Sequence, residues 1–170
     1  MTGDEPARSV FIGSVALGSY SFSEEHPFKP ERIGLVKRMC GERGLLSSRD
    51  IAIEEVEECE PGVLERFHTP EYIDALRRAD SGLEVDVEML HHGIGSPENP
   101  IFKGVYRFSE LSATASLTAA RRVSSGTRTA FNPCGGFHHA HPDRASGFCY
   151  VNDVVIAIDE LRANGLRTAY

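Results

Sequence analysis

Between Cys134 and Asp153 the chain reads CGGFHHAHPDRASGFCYVND, and no other stretch so restricts what it can become. Gly135 and Gly136 lead into two adjacent histidines, His138 and His139, and a third, His141, follows one residue later. A short polar loop comes next, then Ser146-Gly147-Phe148-Cys149-Tyr150. Glycines let the backbone bend sharply or come close to a ligand. Paired imidazoles supply proton-transfer groups or metal ligands near neutral pH. A Gly-Phe step sets an aromatic wall beside open backbone, which suits a narrow slot for an aliphatic chain.

The flanking sequence predicts an alternation of strands and helices. Ser9 to Ala16 reads as a buried strand, and Asp50 to Val56 and Thr127 to Phe131 as two more. Pro27 and Pro30 stiffen the approach to a helix from Arg32 to about Cys40, closed near Gly41 or Gly44. Pro61 to Ala79 reads as two helical pieces broken at Pro70, with Thr69 capping the second. Val105 to Val123 has helical spacing and ends at Ser124-Ser125-Gly126. A last helix, Val154 to Arg162, takes Asp153 as its cap, and Leu166 to Tyr170 begins another strand. The segment from Gly82 to Pro100, with His91 and His92, reads as an exposed loop. Such alternation implies helices layered on a mostly parallel sheet, where sites gather at strand ends. Thr127 to Phe131 delivers the chain to just such a point, directly before the glycines and histidines.

The central stretch resembles the signature of the zinc-dependent histone deacetylase family. There a GG-x-HHA segment precedes SGFCY-x-ND, and both occur here in order and at that spacing. His26-Pro27-Phe28-Lys29-Pro30-Glu31-Arg32 is similar to the family's HP-x-x-P-x-R segment, and Phe67-His68 with Tyr72-Ile73 to its FH-x-x-x-Y-I. The likeness runs in patches from about Ser21 to the C-terminus. It implies a three-layer α/β/α sandwich of the arginase–deacetylase type, incomplete here, with residues 1–170 forming the N-terminal portion of one domain.

The resemblance also implies a chemistry. Hydrolysis of an N-acetyl amide needs a Lewis acid, a base for the attacking water and an acid for the leaving amine. By resemblance His138 and His139 are the proton-transfer pair, and Gly147 and Phe148 line the acyl-lysine or acyl-amine channel. Arg32 matches an arginine that points into an acetate cavity below the metal, with Cys149 a small buried residue beside that pocket. Arg32 taken alone reads as a surface helix residue. Glu98 falls where the family carries an aspartate that grips the substrate backbone, and its side chain is longer. Zinc is expected for the complete family domain. Its ligands, a D-x-H pair and a later aspartate, have no match in this chain, so no metal ligand is assigned.

The remaining histidines carry less. His68, among apolar neighbours, reads as structural. His141-Pro142-Asp143-Arg144 reads as a solvated loop, and adjacent histidines on an extended segment are expected to point to opposite sides. The net charge of -7 argues against a nucleic-acid-binding surface. No apolar run is long enough to span a membrane. Four scattered cysteines without a CxxC fit a reducing cytoplasm. The expected partners are an acetylated lysine or amine, and either a C-terminal fragment or a second copy meeting an open sheet edge. The alternative is a non-catalytic half-domain acting as an interaction module. A plain α/β domain with structural histidines fits the signature least.

Overall fold

The structure, a computed structural model, describes residues 8–81 and 84–167. Three parallel strands form its sheet, β1 (Ser9–Gly13), β2 (Ile51–Glu55) and β3 (Thr129–Phe131), in the order β2-β1-β3. The register pairs Val10 with Ala52 on one side and with Ala130 on the other. β1 is therefore central, and its apolar run is the most buried of the three. The strand stops at Gly13, short of the Ala16 expected. Ser14 accepts the Leu17 amide through its hydroxyl, and a 3-10 turn at Leu17–Ser19 takes over.

Among the described residues five helices accompany the sheet: α1 (Arg32–Glu42), α2 (Pro70–Ala79), α3 (Val87–His91), α4 (Val105–Ser124) and α5 (Asp153–Ala163). α4 is the spine of the fold and touches β1, β3, α2 and α5. Its small residues Ala113, Ala115, Ser112 and Ser116 are buried, which lets neighbouring backbones close in. Val10 and Ile12 of β1 join α4's Phe108, Leu111 and Leu117 in one continuous core. The other face of the sheet is covered only in part, with Phe11 of the central strand buried and its neighbours open. Phe131 is 51% exposed and Ile53 46%, and a groove of about 760 Å³ separates Phe11 and Ile53 from Ile33 and Gly34 of α1. The arrangement is an incomplete α/β sandwich: a parallel sheet with one well-packed layer of helices and one open face.

Most element ends follow the capping chemistry read from the sequence. Thr69 accepts the Tyr72 amide at 3.4 Å with Pro70 in the first turn, and Gly126 leaves α4 at a φ of 105°. Three expectations need correction. Pro61 to Arg66 forms only a 3-10 turn at Leu64–Arg66. The segment 84–100 contains α3, capped by Asp86, whose carboxylate accepts the Met89 amide at 2.7 Å. Asn152, not Asp153, caps α5, accepting the Val155 amide at 3.1 Å. The strand expected from Leu166 falls largely outside the described residues; Leu166 and Arg167 are not in a strand.

Candidate active site

Asp153 is the anchor of the site. Its carboxylate is 1% exposed. It accepts the Phe137 amide at 2.7 Å, the Gly136 amide at 3.0 Å and the Ser116 hydroxyl of α4. Asn132 in turn donates to Ser116 at 2.9 Å. The carboxylate thus ties the loop after β3 to both α4 and α5. Burial pushes its pKa up, and the three donors pull against that shift. Gly135 has to be glycine here, because a Cβ would lie 2.5 Å from the carboxylate and 2.6 Å from the Ser116 hydroxyl. An aspartate read as a helix cap is instead the bolt that holds the loop.

The two histidines emerge directly from this bolt, and both are exposed. Their ring centroids are 4.2 Å apart and the planes meet at 39°. They therefore stand side by side, not on opposite sides as alternation along an extended segment predicts. The segment is not a strand: Gly136 has a φ of 100°, and His138 Nδ1 reaches back to the Gly136 carbonyl at 2.9 Å. A carbonyl only accepts, so Nδ1 carries the proton and Nε2 of the neutral ring keeps its lone pair. Below the pair, Asn152 donates to the His138 carbonyl at 3.3 Å and the Ala140 carbonyl at 3.0 Å. One side-chain amide thus fixes the backbone on both sides of His139.

The Gly-Phe step is a tight turn. Ser146 and Cys149 exchange both backbone hydrogen bonds, at 3.1 and 2.9 Å. The two residues between them have positive φ, 53° at Gly147 and 71° at Phe148. Mirror-image hairpin turns require this, and it costs a non-glycine residue about 1–2 kcal/mol. Phe148 is the one described non-glycine residue so placed. Gly147 lies against His139, and a Cβ there would sit 2.8 Å from His139 Cγ. The turn thereby sits beside the histidine pair, with Gly147 as the point of approach. Glu98 joins them, its carboxylate accepting the Gly147 amide at 3.3 Å. Cys149 is buried, and its thiol donates to the Gly147 carbonyl at 3.4 Å. Burial pushes that thiol's pKa up, so it behaves as a small packing group and not as a nucleophile.

Arg32 does not point inward. It is exposed at the start of α1, with its guanidinium 4.6 Å over the Phe28 ring. Phe28 meets Phe137, the neighbour of His138, edge-on at 5.6 Å, so Arg32 reaches the site through two aromatic rings.

Two buried imidazoles hold the far side of the loop. His68 is 4% exposed; its Nδ1 faces the Pro142 carbonyl at 3.3 Å, and its Nε2 accepts the Asn152 amide at 3.1 Å. Burial drives its pKa down to about 4, outweighing the carbonyl contact. His92, read as part of an exposed loop, is buried and binds the Asp143 carbonyl at 2.6 Å. A polar segment with two histidines gives no local sign that one of them turns inward. The side chains of His141 to Arg144 are exposed, but their backbone is clamped by these two rings.

Among the described residues no group of three or more His, Cys, Asp or Glu could hold a metal ion. His138 Nδ1 is already engaged, and His141 Nε2 lies 3.4 Å from the Arg144 guanidinium. The described residues therefore do not fit a zinc ion. No described carboxylate hydrogen-bonds either ring of the pair; Asp153 binds the Gly136 and Phe137 backbone amides instead.

A family model described as the histone deacetylase domain matches residues 26–170. The chain belongs to the histone deacetylase family. It is 35% identical to histone deacetylase HDAC1 of Drosophila melanogaster across its whole length, which is 33% of that protein. It is likewise 35% identical to histone deacetylase 3 of Oryza sativa subsp. japonica over 94% of the chain and 32% of that protein. A histone deacetylase homologue from Aquifex aeolicus shares its fold, with a TM-score of 0.81 and 31% identity over 92% of this chain and 42% of the other. The deacetylase-family chain described here thus spans about a third of the curated relatives it matches. Among the described residues no helix is long and apolar enough to cross a membrane.

Proposed function

We propose that this chain supplies the proton-transfer half of an N-acetyl amide hydrolase acting on acetyl-lysine or acetylated amines. The observation that carries the reading is the side-by-side pair His138 and His139 against the Gly147-Phe148 turn. His138, with its Nε2 lone pair open, takes the proton of the attacking water. His139, packed on the channel wall, is placed to return a proton to the leaving amine. Phe148 forms one side of the slot for the acyl chain, and the Glu98 carboxylate stands at its rim. Zinc, which this reading assigns to the complete domain, finds no fitting ligand set among the described residues. The role of the pair rests on the imidazoles alone, and residues 1–170 are taken as the N-terminal portion of a single domain.

The test is turnover of an acetyl-lysine reporter with added zinc. The chain alone is expected to be inactive. Activity should appear when it is combined with a polypeptide carrying the rest of a deacetylase domain, and His138→Ala should abolish it. Turnover unaffected by either His138→Ala or His139→Ala would overturn the assignment. A second reading, a non-catalytic interaction module, is favoured by the exposed Phe131 and Ile53 and by the outer edge of β3, which no described strand pairs. Both readings share one expectation: the open edge associates with a second copy or with a C-terminal fragment.

A further inference from the structure

His26 takes no part in the chemistry above, yet it touches both the Phe148 wall of the slot and the Glu98 backbone at its rim. It is buried, next to Pro27 and ahead of α1. Its Nδ1 is 3.1 Å from the Phe28 amide nitrogen and 3.5 Å from the Phe28 carbonyl oxygen. The shorter contact makes Nδ1 the acceptor, so the ring proton sits on Nε2. Nε2 lies 3.1 Å from the Glu98 carbonyl oxygen and donates to it. The ring itself meets Phe148 edge-on, with centroids 4.7 Å apart and planes at 76°. Phe22 backs the ring at 5.0 Å and stacks on Phe102 at 4.9 Å, deep in the aromatic core.

Two paths from one imidazole therefore converge on the Gly147-Phe148 turn. The direct path is the ring contact with Phe148. The indirect path runs through the Glu98 backbone to the Glu98 carboxylate, which accepts the Gly147 amide. That turn holds Phe148 at a φ of 71°, a conformation that persists only where the surroundings over-determine it. We propose that His26 is a positioning residue: it fixes the Phe148 wall and the Glu98 rim as one rigid unit and thereby sets the slot's affinity for an acylated amine. The affinity clause rests on the function proposed above; the coupling of the two walls does not.

The test separates the two paths. His26→Phe keeps a ring against Phe148 and loses the donor to Glu98, together with the acceptor for the Phe28 amide. His26→Gln keeps a donor at similar reach and loses the ring. Backbone amide spectra of the 170-residue chain report the turn, and N-acetyl-lysine methylamide reports the slot. In His26→Phe the Gly147 amide should move and probe binding should weaken roughly fivefold, the worth of one hydrogen bond. In His26→Gln the Gly147 amide should stay near its wild-type position while Phe148 moves. Both amides unmoved in both folded variants would overturn the proposal. Should either variant fail to fold, two measurements remain. A long-range proton–nitrogen spectrum of the wild-type ring should show the Nε2–H tautomer, and Nδ1–H would overturn the proposal. The exposed-site variant Glu98→Ala should displace the Gly147 amide, and no displacement would overturn it. Amides that shift as expected, in a chain that does not distinguish the acetylated probe from unacetylated lysine methylamide, would uphold the coupling and reject the deacetylase reading instead.

Discussion

Acid should unlock the site through His68. In the folded chain Nε2 accepts the Asn152 amide at 3.1 Å, and the other nitrogen faces the Pro142 carbonyl. A protonated ring would press an N–H against an N–H. Burial accordingly holds the folded pKa at about 4, against 6.5 for an unburied histidine. The sign follows from proton counting. Between those two values the unfolded chain binds a proton at this residue that the folded chain refuses, so stability falls as pH falls through the window. Complete passage through it costs about 3 kcal/mol, and the step from about pH 7 to about pH 5 costs about 2 kcal/mol. Urea midpoints across that range measure the loss. His68→Phe should be less stable near neutral pH by about 2 kcal/mol, because the Asn152 amide and Pro142 carbonyl lose their partner. It should also lack the His68 share of the slope, so the two stability curves converge in acid. Parallel curves for wild type and variant, or a His68 titration near its ordinary value, would refute the argument. Asn152 carries the effect onward, because its side chain holds the backbone of His138 and Ala140. The His138 and His139 resonances should therefore broaden or shift as pH falls through about 4, where the folded His68 ring takes its proton.

Asp153→Asn should destabilise the chain by about 2–4 kcal/mol, since an amide NH₂ faces amide or hydroxyl donors that the carboxylate now accepts; hydrogen exchange at Gly136 and Phe137 should accelerate, and unchanged exchange would count against the bolt. Gly147→Ala should cost about 1–2 kcal/mol from its positive φ and should displace His139, read as a shift of the His139 ring signals beside a lowered melting temperature. Size-exclusion chromatography should show self-association through the open sheet edge, and a clean monomer with a cooperative melt would argue against it.

The fold was legible where local chemistry decides. Thr69-Pro70, Gly126 and the apolar run of β1 mark their elements by propensity and capping, with no help from distant residues. The His138–His139 pair and the Gly147-Phe148 step were singled out by composition and by the family resemblance, but that the step is a mirror-image turn was not legible. What escaped was tertiary. His92 and its neighbour His91 look alike in sequence, and only the approach of Asp143 from fifty-one positions away sends one ring inward. Asp153 satisfies a cap pattern, but three donors from the loop and α4 claim its carboxylate first, and Asn152 caps in its place. Arg32 was assigned inward by resemblance, whereas the Phe28 ring holds it at the surface. Adjacent histidines alternate sides only on an extended strand, and the Gly136 bend removes that condition.

The most direct measurement is a titration of the isotopically labelled chain with N-acetyl-lysine methylamide, and in parallel with unacetylated lysine methylamide, following His138, His139 and Phe148. The acetylated probe should move all three sets of signals together while the unacetylated one leaves them in place, because the slot between Phe148 and the imidazole pair is read as a seat for an acylated chain. Equal response to both probes, or a response confined to residues away from the pair, would contradict the claim that these side chains form one acyl-amine site.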